Sequence, residues 1–230
     1  MRSAPAYSGG VYVTPIPGMP FSAVVRQEMT QVLKDGSFFQ RKTSALIARD
    51  SQGRVHNESH EVLPVTATQD PGIMSIFLYD PNTRINYFLD PHTHVAQQRN
   101  PPYPPPTVPP NNWAQHEPAG VVLPANVQEE DLGGDVLQGF VVHGYRRTVT
   151  VSEDLSGTGK PVNVMDEYWY SEELRLDLIM KHNDPRIGLL VIAVENVNVG
   201  EPPADLFEVS PEYKVVDLNP PGREKPSRTR

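Results

Sequence analysis

Histidines and paired carboxylates are the residues of this 230-residue chain whose spacing could do chemistry. His56 and His60 flank Glu58, and alternate residues of a strand point the same way, about 7 Å apart. A metal site would need three or four such groups to converge with neutral imidazoles. His92 and His94, in or beside a turn, are the other pair that could contribute. Histidines on a half-solvated strand are explained without a metal, so none is expected. His182 near Asp184 resembles a base and its orienting acid, but Asn183-Asp184-Pro185 reads as a turn and no nucleophile accompanies it. Ser156-Gly157-Thr158-Gly159-Lys160-Pro161 has a phosphate-loop composition without the Walker spacing, and Pro161 stands where Ser or Thr should open a helix. Asp166-Glu167 and Glu172-Glu173 surround Trp169. A glycosidase sets two carboxylates across a cleft, whereas carboxylates at a hairpin end form a solvated face. No catalytic residue and no cofactor is expected.

Tyr168, Trp169 and Tyr170 are more informative. Consecutive strand residues point to opposite faces, so at least one of these rings faces away from the core. Leu174, Leu176, Leu178 and Met180 alternate cleanly just beyond them. Tyr168, Trp169, Tyr170, Leu176 and Leu178 are therefore the candidate lining of an apolar ligand site.

Composition narrows the classes. A net charge of −8 argues against a nucleic-acid duplex as partner, because phosphate binding needs a basic surface. The absence of cysteine removes disulfides, thiolate zinc sites and thiol nucleophiles. The longest apolar run, residues 189–194, is far short of the roughly 20 residues of a membrane helix. No integral membrane protein is expected. Met1-Arg2-Ser3-Ala4-Pro5 has no apolar signal-peptide core.

These residues must be positioned by strands. Phe21, Ala23, Val25, Met29 and Leu33 alternate with polar neighbours, the period of a half-buried strand. Asp35-Gly36 then supplies a tight hairpin turn. Asp80-Pro81-Asn82-Thr83 and Asp90-Pro91-His92-Thr93 are two type I turn sequences in series, the mark of an antiparallel meander. Residues 129–134 read as a turn, and 188–199 as the most apolar, central strand. Residues 202–207 could form one helical turn. Residues 100–110 hold seven prolines. They begin a surface insertion at 100–124 within a single β domain at 21–217, preceded by an extended lead-in at 1–20 and followed by a disordered tail at 218–230. The expected fold is all-β, with little helix. It is a single large curved antiparallel sheet, half-open and barrel-like, of about ten strands, since so wide a sheet curls.

Several stretches carry a resemblance. They are Ala48-Arg49-Asp50-Ser51-Gln52-Gly53-Arg54, Tyr87-Phe88-Leu89-Asp90-Pro91, Glu167-Tyr168-Trp169-Tyr170-Ser171-Glu172-Glu173-Leu174 and Asp184-Pro185-Arg186. Together they resemble a set of uncharacterised acidobacterial all-β envelope proteins. More distantly, the layout is similar to the periplasmic lipoprotein-carrier fold and the sigma-E regulatory sensor domain. Asp205-Leu206-Phe207-Glu208-Val209-Ser210-Pro211-Glu212-Tyr213 looks like the closing segment of that group. This resemblance implies a half-open barrel around an apolar hollow, and a periplasmic or secreted location. The lack of a visible signal peptide leaves a cytoplasmic location open as well. The helices that plug the hollow in those families have no counterpart here, and none of the matched motifs is a known site. The expected function is a non-enzymatic cell-envelope protein that binds an apolar ligand, such as a lipid or lipoprotein acyl chain, or a protein partner. The alternative is a structural or protein-interaction module with no small ligand. A hydrolase is the third reading.

Overall fold

Side-chain alternation sets the strands. The structure, a computed structural model, describes residues 7–8, 11–33, 35–101, 103–106 and 123–219. The proline-rich insertion and the polar tail lie largely outside those residues. Strands β1 (Tyr7–Ser8) and β2 (Val11–Tyr12) form a small ribbon. Every other strand joins one curved, open sheet. Its first meander runs β3 (Phe21–Val32), β4 (Phe38–Arg49), β5 (Val55–His60), β6 (Leu63–Pro64), β7 (Ile73–Asp80), β8 (Ile85–Asp90) and β9 (Val95–Arg99). Its second runs β10 (Val127–Leu137), β11 (Phe140–Val151), β12 (Val162–Ser171), β13 (Leu176–Asp184) and β14 (Gly188–Val199), and β15 (Lys214–Asp217) closes the chain. The spatial order is β10-β11-β12-β13-β14-β3-β4-β5-β7-β8-β9-β15, with β6 attached to β4.

The sheet thus has thirteen strands against the expected ten or so, and it is mixed, because β15 runs parallel to β9. The parallel pair arises because the chain leaves β14, passes through a 3-10 turn at Ala204–Phe207, and returns beside the far edge strand. A parallel pairing needs such a crossover. Of the other two added strands, β6 is a two-residue strand beside β4, and β10 includes the stretch read as a turn at 129–134. Gly133, at φ 77°, marks a bulge there, and the ladder continues past it.

The turns follow their side chains. Asp80 Oδ1 accepts the Asn82 N–H at 2.8 Å, and Asp90 Oδ1 accepts the His92 N–H at 2.9 Å. Each Asp-Pro turn then ends in a left-handed residue, Arg84 and His94. The repeated motif gives two turns of the same design.

The main apolar cluster includes Phe21, Val25, Ile47, Val55, Leu174, Leu176, Leu178, Met180, Ile192 and Val194. The face that carries it is the inner face. Val11 and Val13, from the segment expected as a lead-in, are fully buried in the same cluster. Arg49 fastens that segment. It is fully buried, and its guanidinium donates to the carbonyls of Thr14 (3.1 Å), Met19 (2.9 and 3.3 Å) and Leu174 (3.0 Å). The hairpin tip between β10 and β11 reaches over two strands, where Gln138 bonds the backbone of Val194 and Val197 on β14. A smaller cluster of Leu78, Leu89 and Ala96 lies on the outer face, covered by Val209 and Tyr213 of the C-terminal segment.

Candidate functional site: the inner face

Register places the inner-face residues in rows. Tyr145, Tyr168, Met180, Ile192, Gln27 and Thr43 are successive cross-strand partners. Met180 and Ile192 are buried, whereas Tyr168 is half-buried against the core. Towards the floor, Val194 pairs with Val25 and Val25 with Ala45. Towards the end bearing the β3–β4 and β13–β14 turns, the next row is Glu129, Arg147, Asp166, His182, Leu190, Met29 and Arg41. In this row Arg147 faces Glu129 at 3.6 Å, and His182 Nδ1 meets Asp166 Oδ1 at 2.7 Å. The inner face therefore grades from an apolar floor, through the row of half-exposed Tyr168, to a margin in which half-exposed Leu190 and Met29 stand among charged groups. At that same end the turns expose Val32, Leu33, Phe38 and Ile187.

The five residues singled out from the sequence do not share one surface. Leu176 and Leu178 are buried in the floor, at 0% and 1% exposure. Tyr168 stands above them on the inner face. Trp169 points the other way and donates from Nε1 to Glu167 at 2.9 Å. Its ring lies over Gly144, where an added Cβ would meet the indole at 2.8 Å. Glu167 also takes Lys181 at 2.8 Å and Arg146 at 2.8 Å. Burial pushes the Glu167 carboxyl up, but the hydrogen bonds from Lys181, Trp169 and Arg146 outweigh it and hold the group down at about 2. Tyr170 is buried beside its register partner Asp177. Among the described residues neither the Tyr170 hydroxyl nor Asp177 Oδ1 has a hydrogen-bond partner. Burial pushes Asp177 up to about 7, and burial, followed by the Glu172 charge, pushes Tyr170 up to about 12.

The histidines divide as well. Glu58 joins His56 and His60, with Nε2–Oε distances of 3.1 and 2.6 Å. Burial raises the Glu58 carboxyl, and the two histidines more than offset this, so it lies below its usual range. His92 lies 3.8 Å from Asp90, and the His94 ring sits against Tyr213. His182 pairs with Asp166, on the neighbouring strand, rather than with Asp184. Asp184 instead binds Arg186 within its own turn at 2.6 Å. Among the described residues no three of these groups are arranged to hold a metal ion. Sequence spacing identified the His56–Glu58–His60 group but not its cover: His56 Nδ1 lies 2.6 Å from the Leu206 carbonyl. Only the crossover of the C-terminal segment creates that contact.

A cavity of about 190 Å³ lies beside this cover, lined by Arg54, Leu78, Tyr79, Ile85, Tyr87 and Phe207 among others. It is below the roughly 300–1,000 Å³ of a ligand pocket.

No family model matches the chain, and no curated protein matches it in sequence. Similar solved structures include MucB, at 12% identity and a TM-score of 0.42, covering 89% of this chain and 62% of that one. The complex of Pseudomonas aeruginosa MucA and MucB matches at 12% identity and a TM-score of 0.39, covering 85% and 58%. The lipoprotein LppX of Mycobacterium tuberculosis matches at 11% identity and a TM-score of 0.31, covering 81% and 89%. The chain thus spans about three-fifths of the MucB chain that it resembles. No helix among the described residues is long and apolar enough to cross a membrane.

Proposed function

We propose that this chain is a non-enzymatic cell-envelope protein whose inner face holds an amphiphile with an acyl chain, a lipid or a lipidated protein. The gradient of the inner face carries this reading. Its apolar rows suit a chain, and its row of Glu129, Arg147, Asp166, His182 and Arg41 suits a polar head. Leu176 and Leu178 serve as the buried floor, and Tyr168, Leu190 and Met29 as the contact surface. The ion pairs of the margin are closed on each other, Arg147 on Glu129 and His182 on Asp166, which favours binding over catalysis. The exposed Val32, Leu33, Phe38 and Ile187 favour a second reading, a protein-interaction surface at the same end with no small ligand.

Titration with a fluorescent fatty acid separates the two. Leu190→Glu changes a half-exposed position and should leave the melting temperature within a few degrees while binding falls at least about tenfold, as expected for a charge placed in an apolar contact. Leu178→Gln should instead cost several kcal/mol of stability, through a buried amide and lost packing. Wild-type protein that binds no fatty acid at any accessible concentration would sink the lipid reading and leave protein interaction in front.

A further inference from the structure

The contacts of the His56–Glu58–His60 row call for one hydrogen more than two neutral imidazoles and a carboxylate carry. Three contacts need a hydrogen: His56 Nδ1 to the Leu206 carbonyl at 2.6 Å, His56 Nε2 to Glu58 Oε1 at 3.1 Å, and His60 Nε2 to Glu58 Oε2 at 2.6 Å. A carbonyl oxygen and a carboxylate are acceptors only, and a neutral imidazole carries a single N–H. Two neutral rings and a carboxylate therefore provide two hydrogens for three contacts. The complete set forms only when one further proton is bound, which makes the group neutral overall. His56 is 4% exposed and Glu58 9%, so water is largely kept from substituting for a missing donor.

Among the described residues of the sheet, the register partners of the row are apolar. Ala48 of β4 lies opposite His56, and Leu78, Ile76 and Ile73 of β7 lie opposite His56, Glu58 and His60. β1, which packs on β5, carries Tyr7 and Ser8. Asp205 and Glu208 of the covering turn are exposed. Arg54 stacks its guanidinium over Phe207 at 5.1 Å and is paired with Asp50. The extra proton thus has the two histidines and Glu58 as its hosts.

We propose that this row is a proton-dependent latch for the C-terminal strap formed by the turn Ala204–Phe207, the segment to Tyr213, and β15. With the proton bound, His56 donates to Leu206 and the strap stays on the outer face, covering Leu78, Leu89 and Ala96. When the proton leaves, a lone pair on His56 faces either Glu58 or the Leu206 carbonyl, and the strap loses its buried anchor. The docked form binds one proton more than the released form. Raising the pH therefore favours release, by at most about tenfold in the docking equilibrium per pH unit.

Amide hydrogen exchange on the full chain tests this, read between about pH 5 and about pH 8, where histidine groups exchange protons. After correction for the intrinsic rate, and in an Asp177→Asn background that removes the separate pH dependence of that buried acid, amides of the strap should open more as the pH rises, while those of β3 and β14 stay unchanged. Glu58→Gln removes the dependence. Its amide N–H can donate to His56 Nε2 while its oxygen accepts from His60, so all three contacts form with two neutral rings. Strap opening that is flat with pH in that background, or that keeps the same slope when Glu58→Gln is added, overturns the latch. Side-chain NMR of the wild type decides independently of any variant. The docked state should show two N–H protons on His56 beside an ionised Glu58. A single N–H on His56 beside an ionised Glu58 in the docked state would refute the proposal.

Discussion

Three buried polar residues carry charge or its absence in different ways. Arg49 keeps its charge by spending its donors on backbone carbonyls, with no carboxylate partner among the described residues. Asp177 Oδ1 has no hydrogen-bond partner among the described residues, and burial favours the neutral form of the group. Glu167 has three donors and stays ionised. The two acids give opposite pH dependences. Folded Asp177 keeps its proton until about pH 7, whereas an unfolded chain releases it near the ordinary aspartate value of 3.8. Between those values the folded state binds more protons, so stability falls as the pH rises, by about 1.4 kcal/mol per unit from this group. Asp177→Asn should flatten that slope in urea unfolding measured across the window. Glu167 works the other way. Its contribution is present above about 4.5 and is lost as the pH falls towards 2. Because Arg146 and Lys181 are about a third exposed, solvent screening limits the loss to about 1–2 kcal/mol. Glu167→Gln should abolish this acid-side loss and lower stability at neutral pH, and unchanged urea midpoints at both ends would refute the assignment.

At the scale of elements, the alternation of β3, the Asp-Pro turns and the apolar run of β14 were legible in the sequence because each depends on neighbours a few residues away. β10 was not, since Glu129 to Gly134 has turn composition and is kept in the ladder by cross-strand partners Arg146, Arg147 and His143. The orientation of the candidate site was half legible. Alternation separates Tyr168 from Trp169, but it does not show that both rings pack against the main cluster, Trp169 from its pairing with β11. There Gly144 provides the space for Trp169. Gly144→Ala would place a methyl against the indole, force it off the Glu167 carboxylate, and cost about 1–3 kcal/mol as an overpacked contact. Thermal unfolding with tryptophan emission checks this, and an unshifted melting temperature and spectrum would show that the ring moves without cost.

The whole molecule consists of two meanders joined at one seam, the pairing of β3 with β14. Within each meander nearly every strand pairs with a neighbour in the chain, but at the seam Arg26 meets Glu195, 169 positions away. The C-terminal strap adds a second grip, because it leaves the second meander and lands on the first. A chain cut within residues 107–122 should therefore remain a single particle. The two pieces share a full strand pairing as well as the strap, and gel filtration under native conditions should elute them together. Separate elution would show that the seam alone is weak. The seam also fixes an order of events in time. Each meander can assemble from local hairpins as soon as its residues are available, whereas the seam must close a loop spanning most of the chain before it gains any contact. Its closure should be the slow step of folding, as expected when stability depends on distant pairings. Until it closes, β3 and β14 are both open edges, and a second copy of the chain offers the same partner. At high concentration during refolding, the two meanders of neighbouring copies can pair reciprocally, and the outcome is a domain-swapped dimer whose strands and registers match those of the monomer.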